Sequence, residues 1–206
     1  MKDRSIPVED VKNFRDKIIK PLLKSYQMGD EKFKNKIIHM LYDYIRSFGQ
    51  KNRSGLWTVG YKKQVMEAEE KGLPKPQPQK EHWKIAGTGC RYALDYPEVF
   101  LADTEESFEK FYDLCEYLDD VIYSTADEGK MISGFSIKKG GNGYVHEDFL
   151  TRYKICFEKG KIKFYKPKVG YITEFPKELD YFDGISKEHH KEFWKKYTKP
   201  KNNLYK

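Results

Sequence analysis

Apolar positions in the first fifty residues recur every three to four places, the spacing of one helix face. Val8, Val11, Ile18 and Leu22 make a first stripe. Pro21 lies within it and predicts a kink or a break, because proline has no N–H to donate and its ring crowds the preceding turn. Gly29 ends that helix, and Asp30 is placed to cap the next one by accepting from its free N–H groups. Phe33, Ile37, Leu41, Tyr44 and Phe48 form a second stripe, with Gly49 as terminator. The expectation is a helical hairpin with one apolar face per helix.

The pattern then shortens. "GLWTVGY" (55–61) reads as a strand and "KKQVMEAEEKG" as a short polar helix. In "LPKPQPQKE", Pro74, Pro76 and Pro78 alternate with polar residues, a spacing that suits a polyproline II connector and equally an ordinary surface loop. It suggests a division into a helical subdomain with a short strand (1–72), a Pro-rich connector (73–81), and an α+β domain with a basic tail (82–206).

After Gly89, Cys90, Tyr92, Leu94 and Tyr96 alternate with Arg91, Ala93 and Asp95, a period of two that predicts a strand. Gly87-Thr88-Gly89 then reads as the turn between two strands, with glycine supplying positive φ. A phosphate cradle would need a helix opening at those glycines, and neither a GK[ST] nor a third glycine is present.

Residues 103–122 give the clearest helix. Asp103 and Glu106 are spaced for a capping box. Phe108, Phe111, Cys115, Leu118 and Ile122 form its buried stripe, and Glu105, Glu109, Glu116 and Asp120 its solvated face. "STADEG" (124–129) reads as the turn that ends it.

The last third predicts strands at 131–139 and within 150–166, the latter folded into a hairpin through Glu158-Lys159-Gly160. A helical turn follows at 175–184, then a final helix over 186–197 with Phe193 and Tyr197 inward. The fold class is therefore α+β: an N-terminal helical hairpin, then a mainly antiparallel sheet packed against one long amphipathic helix.

Composition adds the chemistry. The aromatic share of 16% excludes a disordered chain. The net charge is +7, and residues 187–206 hold seven Lys against two Glu. That excess attracts polyanions, although Lys, Asn, Ile and Tyr are also the vocabulary of an AT-rich genome. Cys90, Cys115 and Cys156 are odd in number and form no CxxC pair, which suits a reducing compartment and neither a disulfide framework nor a zinc site. No apolar run reaches bilayer length, and the first residues lack the apolar core of a signal peptide. A cytoplasmic protein without membrane contact is expected.

Cys90 as a nucleophile needs a base, and neither His82 nor His146 is tied to it by spacing; a small core residue is the simpler reading. Adjacent His189 and His190 diverge by about 100° on a helix and make a poor metal pair. No cofactor motif stands out. The hairpin offers more. Arg152, Lys154, Lys161 and Lys163 would share one face as a cationic plate, at a spacing able to follow a phosphate backbone. Tyr144, Tyr165 and Tyr171 would offer stacking surfaces beside it.

The leading expectation is a non-enzymatic binding protein that engages nucleic acid or a nucleoprotein complex. Its contacts would be Arg152, Lys154, Lys161 and Lys163 on the hairpin, with Lys195, Lys196 and Lys199 at the C-terminus. Size, vocabulary and the lack of enzyme motifs suggest an accessory protein of a phage or mobile element that inhibits a host complex. Two other classes stay open: a protein–protein inhibitor without nucleic-acid contact, and a small enzyme using Cys90 or the 124–129 loop.

Overall fold

The computed structural model describes residues 4–82, 86–137 and 156–176, with side chains for 4–81, 90–132 and 156–176. The fold is α+β. Among the described residues are eight α-helices, one π-helical segment and five strands in a single mixed sheet. The chain forms two compact units, one of residues 1–50 and 85–119 and the other of residues 51–84 and 120–206. Segment 73–81, expected as a connector between domains, lies inside the second unit.

The first unit is helical. α1 (Val8–Asn13), a π segment (Phe14–Ile19) and α2 (Lys20–Met28) run on without interruption, and α3 (Glu31–Arg46) returns after Gly29. Pro21 does not divide the helix. The widened π turn ahead of it, in which the Lys20 N–H reaches back to the Arg15 carbonyl, accommodates the proline near the start of α2. Asp30 caps α3 as expected, accepting from Phe33 N at 2.7 Å. The inward face of α3 is Ile37, Ile38, Leu41 and Ile45, whereas Phe33 at the first turn is exposed.

Residues 86–95 overturn the predicted strand and turn. Ala86–Asp95 is helix α5, followed by the single turn α6 (Pro97–Phe100). Five consecutive residues, Cys90 through Leu94, are buried. A stretch buried at five successive positions has no polar face to mark a period of 3.6, so a coincidental alternation dominated the pattern. Arg91 sits in that interior on Glu31 (3.2 Å) and Asn35. Tyr26 donates to Asp95 Oδ1 at 2.9 Å, and burial pushes its phenol well above the ordinary range.

α7 (Glu105–Asp119) is shorter than the helix predicted over 103–122, because the chain is extended from Val121 onward and Ile122 leaves the predicted stripe. Its cap, however, is Thr104, whose Oγ1 accepts from Ser107 N at 3.1 Å; Asp103 instead pairs with Lys20. The acidic face is not simply solvated. Glu109 holds Arg4, Glu116 accepts from Ser5 N at 2.8 Å and Ser5 Oγ at 2.6 Å, and the Tyr112 hydroxyl bonds the backbone of Ile6. These acids strap the N-terminal arm to the helix.

In the second unit, β1 (Trp57–Thr58), β2 (Gln79–His82), β3 (Val121–Ser124), β4 (Phe164–Lys166) and β5 (Gly170–Ile172) stand in the order β2-β3-β1-β4-β5. β1 and β3 are parallel and the other three pairings antiparallel. The 55–61 strand shortens to two residues, because Thr58 caps α4 (Val59–Glu70) by accepting from Tyr61 N. Asp120, expected in water, is buried and accepts from Arg53 N (2.7 Å) and Ser54 N (3.1 Å), shaping the turn that leads into β1.

"STADEG" is corrected from a helix-ending turn to a helix start, for it leads from β3 into α8 (Ala126–Ile137). Thr125 and Glu128 form a reciprocal capping box: Thr125 Oγ1 accepts from Glu128 N at 3.2 Å, and Glu128 Oε2 accepts from Thr125 N at 3.1 Å. The predicted strand at 131–139 is therefore helical through Ile137. The predicted 150–166 hairpin is also replaced. Residues 156–158 are a helical turn, and the real hairpin joins β4 to β5 through Pro167-Lys168-Val169, with Lys168 at φ 68°. The helices expected at 175–184 and 186–197 fall almost wholly outside the described residues.

Candidate functional site

Adjacent strands place directly paired residues on the same face of a sheet. The register lines up Lys80 with Tyr123, Tyr123 with Trp57, Trp57 with Tyr165, and Tyr165 with Tyr171. One row thus crosses all five strands, with four aromatic residues side by side and a lysine at its β2 end. The neighbouring positions Thr58, Ile122 and Phe164 are buried on the opposite side. Alternation within each short strand produces the row: Thr58, Ile122 and Phe164 go to the core and the tyrosine and tryptophan rings to the other face.

From Trp57 outward the rings contact one another along the row. Trp57 and Tyr165 have centroids 6.1 Å apart, and Tyr165 and Tyr171 5.7 Å. Tyr61, from the first turn of α4, packs edge-on against both Trp57 (5.3 Å) and Tyr123 (5.8 Å), closing that end of the row. Burial raises the Tyr61 phenol, whose hydroxyl donates to the Pro76 carbonyl at 3.0 Å. That bond docks the Pro-rich segment beside the sheet. The other end is open, and Tyr171 is 60% exposed.

Lysines stand over the rings. Lys75 Nζ is 4.5 Å from the Trp57 ring centre. Lys62 Nζ is 4.4 Å from that of Tyr165 and 4.2 Å from that of Tyr171, and donates to the Tyr171 hydroxyl at 2.9 Å. The same hydrogen bond holds the Tyr171 phenol below its ordinary value.

Of the seven cationic residues predicted as contacts, Lys161 and Lys163 are described. Both are exposed and alternate with buried Ile162 and Phe164, in step with Tyr165. Arg152, Lys154, Lys195, Lys196 and Lys199 lie outside the described residues. Tyr165 and Tyr171 fall in the row, while Tyr144 is outside the description. Sequence reading missed Trp57, Tyr123, Lys62 and Lys75. Trp57 and Tyr123 were detectable as exceptions on short apolar strands, but nothing local announces that two distant segments share a register.

Charge follows the division into units. The unit carrying the row has 26 Lys and Arg against 16 Asp and Glu, and the helical unit 13 against 16. The basic excess of the chain thus belongs to the unit with the aromatic face. Cys90, in the helical unit, is buried, and desolvation pushes its thiol far up. Such a thiol is neither a ready nucleophile nor a ready ligand. Among the described residues no cluster of three His, Cys, Asp or Glu is positioned to hold a metal ion, and no helix is long and apolar enough to cross a membrane.

Comparison with protein-family models, curated proteins and solved structures finds no match to this chain. The site is read from its own chemistry.

Proposed function

We propose that the protein binds single-stranded nucleic acid, free or within a nucleoprotein complex, on the aromatic row of its sheet. The observation that carries the reading is the register-aligned line Tyr123–Trp57–Tyr165–Tyr171, partly open to solvent and overlain by lysines. Rings on a sheet offer π-faces to unpaired bases of any sequence. Lys75, Lys80, Lys161 and Lys163 supply the positive charge that a phosphate backbone rewards. The net +10 of the unit extends that attraction beyond the row itself.

Stacking distinguishes this proposal from simple attraction to polyanions. A duplex hides its base faces, so it gains only the electrostatic part. The test is fluorescence anisotropy with a labelled oligothymidylate and a duplex of equal charge, titrated over a range of salt. Tighter binding of the single strand at every salt concentration supports the reading. Equal affinity for the two forms, or no binding at low salt, rejects it.

A further inference from the structure

We propose that Lys62 is a gate on the aromatic row: its ammonium covers Tyr165 and Tyr171 in the free protein and moves onto a backbone phosphate when bases stack there. The inference rests on the nucleic-acid reading above and adds how the site is closed and opened. Lys62 Nζ lies 4.4 and 4.2 Å from the two ring centres. A base in van der Waals contact would sit about 3.5–4.0 Å above the same ring face. Ammonium and base therefore compete for one space, and stacking requires the lysine to leave.

Leaving is easy. Among the described residues the polar partner of Lys62 is the hydroxyl of Tyr171, itself 60% exposed, and no carboxylate pairs with it. The ammonium sits on a flexible four-carbon stem with rotatable donors. Once displaced it remains beside the bound base, where the next phosphate follows. The same side chain thus excludes the ligand from the rings when free and neutralises it when bound. A fixed phosphate-binding lysine would do only the second, and a purely structural lysine neither.

These roles separate by salt. Neutralising one phosphate of a single strand contributes a slope of about 0.7 in log affinity against log salt. That contact strengthens binding about eightfold at about 50 mM salt and less than about twofold at about 0.5 M. One ammonium shared between the two rings counts as a single exposed cation–π contact, and uncovering them returns about threefold at either salt. Lys62→Gln, titrated with labelled oligothymidylate, is therefore expected to bind about threefold more weakly than wild type at about 50 mM salt and about twofold more tightly at about 0.5 M, with the lines crossing near 0.2 M. Lys62→Arg keeps the wild-type slope. Weaker binding of Lys62→Gln at both salts makes Lys62 a plain phosphate ligand and overturns the gate. Tighter binding at both with the slope unchanged overturns the transfer to phosphate, and no change in either overturns the whole inference. Absence of wild-type binding rejects the underlying reading itself, and the gate falls with it, whereas the other outcomes leave that reading standing.

Discussion

Glu128 joins the starts of two helices in the sheet-bearing unit, and its removal should be felt in a specific way. Its carboxylate accepts from Thr125 N (3.1 Å), Thr125 Oγ1 (3.0 Å), Gly60 N (3.1 Å) and Thr58 Oγ1. Glu128→Ala removes the reciprocal cap of α8, about 1 kcal/mol. It also leaves Gly60 N and Thr58 Oγ1 without an acceptor; with partial rehydration the total comes to about 3 kcal/mol. Gly60→Ala tests the geometry independently, because a Cβ at Gly60 would lie 2.6 Å from the Glu128 carboxylate. To make room the carboxylate must surrender one or two of its bonds, which costs about 1–2 kcal/mol. In a Glu128→Ala background that obstacle is gone, and alanine gains about 0.5 kcal/mol over glycine through helix propensity near a helix start. The effect of Gly60→Ala should therefore change sign between the two backgrounds. Trp57, on β1, belongs to this unit, and residues 1–50 and 85–119 contain no tryptophan, so urea unfolding followed by tryptophan fluorescence does not report on the helical unit. A stabilising Gly60→Ala in the wild-type background, or a Glu128→Ala cost below about 1 kcal/mol, would refute the reasoning.

Three further outcomes are expected. Cys90→Ser, which places a hydroxyl in a fully buried site, should cost about 1–3 kcal/mol and leave oligonucleotide binding unchanged; alkylation of native Cys90 should be slow, and rapid native labelling would contradict its burial. Lys161→Glu with Lys163→Glu should reduce the salt slope of binding by at least about 1.4, from about 0.7 per phosphate contact, with the melting temperature nearly unchanged because both side chains are exposed; an unchanged slope would remove them from the interface. In an ultraviolet titration the component lost in Tyr171→Phe should ionise below the ordinary phenol value, because the Lys62 hydrogen bond lowers the Tyr171 phenol, and Lys62→Met should move it back up. A lowered folded-state value adds stability only at pH above the unfolded phenol's, and that gain is lost as pH falls through the folded value, so neutral-pH stability should not depend on this ionisation.

What the sequence made legible follows from how each element is exposed. α3 and α7 each set an apolar face against a polar or acidic one, so their periodicity appears directly, as does the Asp30 cap. In α5, burial of Cys90, Arg91, Tyr92, Ala93 and Leu94 together erased the helical period. The Thr125–Glu128 capping box was present in "STADEG" as a T-x-x-E spacing, yet the loop-like composition outweighed it. The lysine alternation at 161–163 survived although the strand assigned to it did not: β4 begins only at Phe164 and pairs with β1 and β5. The aromatic row is a product of register between segments more than a hundred residues apart, Trp57 against Tyr165. Local pattern cannot encode such a partnership, because the pairing is chosen by the burial of Thr58, Ile122 and Phe164 on the other face.

The proposal of a stacking platform is tested most directly by Tyr165→Ala with Tyr171→Ala, measured against labelled oligothymidylate across a range of salt. The rings carry no charge, so their loss should displace the whole salt line without tilting it. Two lost stacking contacts at about 1–3 kcal/mol each predict at least a roughly 30-fold loss of affinity, with the parallel line as its signature. Binding that is unaffected by the double substitution, or that falls with a changed slope, would show that the row does not receive bases and would contradict the account.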